Sequence, residues 1–220
     1  LFTKGLMGAL VTDQILNNYL TAAKLDSGTN RDDQANLVLE YGTATKMEHY
    51  WDEGFGYLYG EEANVARADL GSNPTGNGVL VNKYFKKVND QAERAGIAQT
   101  VYDAFKMGRA AIVAENYTVR DEQAEIIQVN LSKVIGYKAM DYLNGYVSKK
   151  DAGNLADAIH ALSEGWGFIL SLQFTNDGTG NPYFSNSEVN AMLAKIDNFW
   201  TVSSADCTSM ANDIKTKMGL

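Results

Sequence analysis

The chain has 220 residues, a net charge of −8 at pH 7, 45% hydrophobic residues and 21% charged ones, a balance that belongs to globular rather than disordered proteins. Such an acidic surplus argues against nucleic acid or an anionic membrane surface as the main partner. The single cysteine, Cys207, excludes an internal disulfide and a cysteine metal cluster, and no apolar run approaches the roughly 20 residues that a transmembrane helix needs.

Only two prolines occur, Pro74 and Pro182, so long helices are permitted over most of the length. Residues 1–23 place Leu6, Leu10, Ile15, Tyr19 and Leu20 at helical spacing, with Met7, Val11 and Leu16 widening the stripe, and predict a core-facing helix. The chain opens inside this pattern at Leu1-Phe2-Thr3-Lys4, without an initiator methionine, and reads as a processed or partly recorded chain. A polar loop follows over residues 25–33. Asp26, Asp32 and Asp33 raise a calcium reading, but their spacing misses the EF-hand pattern, and a solvated loop with helix caps is preferred.

A second helix is expected over about 43–60, with Thr43 or Thr45 as its N-cap. Gly71-Ser72-Asn73-Pro74-Thr75-Gly76-Asn77-Gly78 is the strongest turn-forming run in the chain. Helical patterns resume over about 79–95 and 97–115, a longer one over about 119–147, and another over about 153–174 that starts at Asp151 or Asn154. After a second Gly/Asn/Pro loop at 176–182, two helices over about 185–198 and 203–218 close the chain, with Cys207 read as a neutral surface or helix-start residue. No strand alternation is seen, and the fold class is predicted to be all-α.

Both histidines, His49 and His160, lie in one repeated pattern, His-x-x-x-Glu-Gly-(Phe/Trp)-Gly-(Tyr/Phe). Each half of the chain also carries a long helix, a motif helix, a loop with Thr-Gly-Asn (75–77 and 179–181) and two further helices. We therefore expect one domain of two pseudo-symmetric, four-helix-bundle-like halves, about 1–117 and 118–220.

On a helix, residues four apart share a face, which pairs His49 with Glu53 and His160 with Glu164. Imidazole and carboxylate so placed can ligate a divalent or iron cation. One pair supplies two ligands, and a symmetric meeting of the motif helices would supply four. The alternative is structural: each His satisfied by its Glu or by a backbone carbonyl. Gly54, Gly56, Gly165 and Gly167 together cost on the order of 4 kcal/mol of helix propensity, and close helix contact is the simplest compensation. Glu48, Asp52 and Asp157 are expected to be surface charges or helix-pair partners, and Arg109 is expected to meet a buried carboxylate. No zinc-protease motif, phosphate loop, nucleophile elbow or hydrolytic triad is present.

Four blocks, Lys4-Gly5-Leu6-Met7-Gly8-Ala9-Leu10, Met47 to Tyr57, Phe105-Lys106-Met107-Gly108-Arg109-Ala110-Ala111 and Glu164-Gly165-Trp166-Gly167-Phe168, followed by Leu170-Ser171-Leu172-Gln173-Phe174, resemble the family catalogued as domain of unknown function 4856. That family is distantly similar to imelysin-like proteins, whose His-x-x-Glu spacing differs from His-x-x-x-Glu here. The resemblance implies a bacterial, non-enzymatic binding protein, periplasmic or at the cell surface, lipid-anchored through an N-terminal stretch missing from this chain. It implies a role in iron, metal or nutrient acquisition, with a metal ion or small ligand and an outer-membrane uptake partner. A structural or interaction lipoprotein, whose motifs only lock helix packing, is the alternative.

Overall fold

A computed structural model describes residues 2–60 and 80–220. The turn expected at 71–78, and with it one of the two Thr-Gly-Asn loops, lies outside the described residues. The architecture is all-α, with one small hairpin among the described residues.

The first helix begins as α1 (Phe2–Leu6) and continues as two π-helical segments, Met7–Thr12 and Gln14–Tyr19. The Asp13 amide donates to the Gly8 carbonyl and the Leu20 amide to the Ile15 carbonyl, five residues back in each case. A turn this wide brings residues four and five apart onto one face. Met7, Val11, Ile15, Leu16 and Leu20 are accordingly buried, whereas Leu10 is exposed.

Short helices α2 (Ala22–Leu25) and α3 (Asn30–Ala35) flank a turn at residues 26–29, so the loop expected over 25–33 is shorter than read and its second half is helical. Asp26 is no calcium ligand here, because its oxygens accept from Arg120 at 2.6 and 3.1 Å and from Arg31 at 2.6 Å. Partial burial would raise its carboxyl, but these hydrogen bonds outweigh it and hold the group well below the usual carboxylate range. Arg120 itself is fully buried, so the pair fastens this corner to the start of the long helix Tyr117–Asp151.

A hairpin of β1 (Leu39–Tyr41) and β2 (Ala44–Thr45) then appears where no strand was expected. All three β1 residues are exposed, so the alternation that marks a half-buried strand was never present.

The remaining helices are α4 (Lys46–Tyr59), α5 (Leu80–Asn89), α6 (Ile97–Val113), α7 (Tyr117–Asp151), α8 (Leu155–Ser171), α9 (Asn186–Lys195) and α10 (Ser204–Met218). The break expected near 116–119 falls at the turn before α7, where Glu115 has φ +54° and the Asn116 side chain caps the helix. At 35 residues α7 is the spine, and α6, α8 and α10 all pack along it. The expected pair of matching four-helix units is not confirmed, since helices of both halves share this one spine. Cys207 is buried rather than at the surface, and burial pushes its thiol up to about 11. No described helix is long and apolar enough to cross a membrane.

Candidate functional site

The capping box at Thr45 and Glu48 sets which way each face of α4 points. Thr45 Oγ accepts from the Glu48 amide and Glu48 Oε2 accepts from the Thr45 amide at 2.7 Å. Glu48, expected to be a surface charge or a helix-pair partner, is buried and pairs with α6, its other oxygen receiving Arg109 Nη1 at 2.7 Å. The same guanidinium donates through Nε to the exposed Asp52 at 3.0 Å. On this inward side Trp51 donates to the Phe105 carbonyl at 2.9 Å, and its indole lies on Gly108, where a Cβ would stand 2.0 Å from the ring. The blocks around residues 51 and 105–109 are thus two halves of one contact.

The outward face of α4 carries His49, Glu53, Gly56 and Tyr57, at i, i+4, i+7 and i+8. His49 Nε2 stands 3.5 Å from Glu53 Oε1, with the two side chains 30% and 39% exposed. Tyr41 of the hairpin stacks flat on the imidazole, centroids 3.8 Å apart and planes 6° off parallel. An ion about 2.1 Å from both atoms would subtend about 110° there, close to the tetrahedral angle preferred by zinc.

The second copy of the motif is used differently. His160 is exposed, and Glu164 pairs with Lys4 of the first helix at 3.3 Å. Lys4 in turn lies 4.8 Å above the Tyr84 ring. Burial alone would raise the Glu164 carboxyl, yet the neighbouring Tyr142 hydroxyl and Lys4 ammonium hold it below its ordinary value. Burial, reinforced by the Glu164 carboxylate, raises the Tyr142 phenol. Among the described residues no three His, Cys, Asp or Glu side chains gather to hold a metal ion. The two-His, two-Glu set, conditional on symmetry, is therefore not assembled.

The glycines separate the two copies most sharply. At Gly167 a Cβ would lie 2.4 Å from Lys4 Cβ and 2.7 Å from the Gly5 nitrogen, and at Gly8 it would lie 2.5 Å from Ser171 Cβ. Ser171 Oγ adds hydrogen bonds to the Gly167 and Lys4 carbonyls, at 2.7 and 3.3 Å. The first helix and α8 therefore touch backbone to backbone. At Gly165 a Cβ would meet Tyr142 at 3.0 Å, and at Gly54 it would meet Leu20 at 3.1 Å. At Gly56, the counterpart of Gly167, it would meet nothing within 4 Å among the described residues.

Gly56 instead borders a groove of about 700 Å³ between the first helix and the start of α5, lined also by Gln14, Glu53, Tyr57, Tyr59 and Asn82. The sequence reading missed Lys4, Tyr84, Tyr142 and Asn82. Lys4 and Tyr142 lie 160 and 22 residues from Glu164, and the only local hint was the Lys4-Gly5 step inside an apolar stripe.

A family model described as Domain of unknown function (DUF4856) matches residues 1–220. Comparison with curated proteins and with solved structures gave no match.

Proposed function

The chain belongs to this Domain of unknown function (DUF4856) family, and from that premise we propose a non-enzymatic binding protein that takes a divalent or iron cation or a small ligand on the outward face of α4. The observation that carries this reading is the unequal use of one repeated motif. Glu164 is occupied by Lys4, and Gly167 by the backbone of the first helix, whereas His49, Glu53 and Gly56 face outward with none of the described residues packed on Gly56. The imidazole–carboxylate spacing suits one cation and leaves positions open for water or a ligand. The resemblance to imelysin-like proteins supports placing this activity outside the cytoplasm, periplasmic or at the cell surface, in metal or nutrient acquisition.

Calorimetric titration of the purified protein with zinc, iron and copper tests it. Heat of binding is expected, abolished by His49→Ala and retained by His160→Ala. Absence of heat with all three metals sinks the cation version.

A second reading, in which the motif only locks helices together, is favoured for α8 by the Lys4–Glu164 pair and the Gly167 contact. On that reading Glu164→Gln lowers the melting temperature without touching metal uptake.

A further inference from the structure

A second groove, of about 560 Å³, lies between the end of the first helix, the start of α7 and the loop that carries Asn176, Gly178, Thr179 and Gly180. None of its lining residues belongs to α4, and it is independent of the binding face proposed there. Gln128 of α7 lines it while only 6% exposed. In the last wide turn of the first helix the Leu20 amide reaches back to the Ile15 carbonyl, which leaves the Leu16 carbonyl without its usual donor. Gln128 Nε2 supplies one, donating to the Leu16 and Leu20 carbonyls at 3.1 and 3.0 Å. Two carbonyl partners fix which end of the amide is nitrogen, so Oε1 is turned the other way, into the groove. No described group donates to it, and it is open to the groove rather than enclosed.

The other side-chain donors around the groove are engaged within the protein. Asn17 Nδ2 donates to Asp13 and to the Phe174 carbonyl, Asn176 Nδ2 to Asn17, Thr21 Oγ to the Asn18 carbonyl and Thr179 Oγ to Asp177. No Lys or Arg lines it. The acceptors left over are Gln128 Oε1, the exposed Glu125 carboxylate and the second oxygen of Asp121, whose first receives Arg120 at 2.8 and 2.9 Å. Such a lining repels anions and suits a ligand that only donates, as an ammonium does. A bare calcium ion takes about six to eight oxygens, and among the described residues no three acidic side chains gather for one. Asp121 and Gln128 stand two turns apart on α7, about 10 Å along its axis, too far for one ammonium and a fit for two. Leu16, Leu20 and Ala124 give the lining an apolar stretch, and the volume lies inside the range of about 300–1,000 Å³ usual for small-molecule sites. We infer that this groove binds a short aliphatic diamine. One ammonium donates to Gln128 Oε1 and Glu125, the other to Asp121, and the chain between them lies on Leu16, Leu20 and Ala124.

The test is calorimetry on the whole chain with putrescine, cadaverine, butylamine and calcium chloride, alongside the side-chain amide NMR signal of Gln128. At least one diamine is expected to bind about tenfold or more tightly than butylamine and to shift the Gln128 signal. Gln128→Leu would also strip the Leu16 and Leu20 carbonyls of their donor, so the exposed Glu125→Gln is the variant, its fold checked by near-ultraviolet circular dichroism. It should weaken diamine binding about tenfold, the effect of losing one charge-assisted hydrogen bond. No heat from either diamine overturns the inference, as does heat without movement of the Gln128 signal. Diamine binding no tighter than that of butylamine, or unchanged in Glu125→Gln, also overturns it. Calcium heat that moves the Gln128 signal while both diamines are silent overturns it in favour of a metal site.

Discussion

Alanine placed at Gly56 and at Gly167 should change stability in opposite directions, although the two positions are equivalent in the repeated motif. Both substitutions gain about 1 kcal/mol of helix propensity. At Gly56 none of the described residues opposes that gain, since none stands within 4 Å of the new Cβ. At Gly167 the Cβ would stand 2.4 Å from Lys4 Cβ, 2.7 Å from the Gly5 nitrogen and 2.8 Å from the Lys4 carbonyl carbon. Two of these three are backbone atoms that no rotamer change can move aside. Forced separation of packed elements costs about 1–3 kcal/mol, occasionally more, and this is a backbone contact, so the upper end applies. The net expectation is a gain of about 1 kcal/mol at Gly56 and a loss of about 1–2 kcal/mol at Gly167. For a chain of this size 1 kcal/mol moves the melting temperature by about 2–4 °C. Thermal and urea denaturation of the two variants, run side by side, would reveal opposite shifts. Equal shifts of the same sign would refute the claim that one copy of the motif is a packing joint and the other is not.

Further consequences can be checked independently. Gly108→Ala should destabilise the protein by about 2 kcal/mol or more in urea titration, because the Trp51 indole occupies the space of the new methyl. Hydrogen bonds from Lys217 and from the Ser185 cap hold the Glu188 carboxyl down at about 2. With the folded value below the ordinary one of about 4.3, the stability it contributes is full above that pH and is lost as pH falls toward 2. NMR titration should find this low value, and Lys217→Ala should return it toward the ordinary one. Cys207, buried and with its thiol raised to about 11, should resist a thiol reagent at pH 8 in the native protein and react promptly in urea. Fast labelling of the folded protein would contradict its burial.

Much of the fold could be read from the chain because helical periodicity and caps are local. Periodicity located α5 to α10 to within a few residues in most cases, and Thr45 was one of two caps proposed for α4. The hairpin was missed because Leu39, Glu40 and Tyr41 are all exposed and show no alternation. The π turns of the first helix were missed because its stripe was read as α-helical, although Met7, Val11, Ile15 and Leu20 already recur at four- and five-residue steps. At the candidate site the repeated pattern was legible, and so was the close-contact reading of its glycines, which holds firmly at Gly167. The difference between the copies was not. It depends on Lys4 and Tyr142 reaching Glu164, and on Tyr41 reaching His49, all fixed by how helices and hairpin pack rather than by any local pattern. The burial of Glu48 had the same origin, since the residue that draws it inward, Arg109, is 61 positions away.

Having only two histidines, the protein permits a direct test of the unequal motifs. Its imidazole proton NMR signals can be followed during a zinc titration and assigned with His49→Ala. The His49 signal is expected to shift or broaden first, together with displacement of the Tyr41 ring signals stacked on it, while the His160 signal stays in place. Movement of both histidines in parallel, or of His160 alone, would contradict the division of one motif into a binding copy and a packing copy.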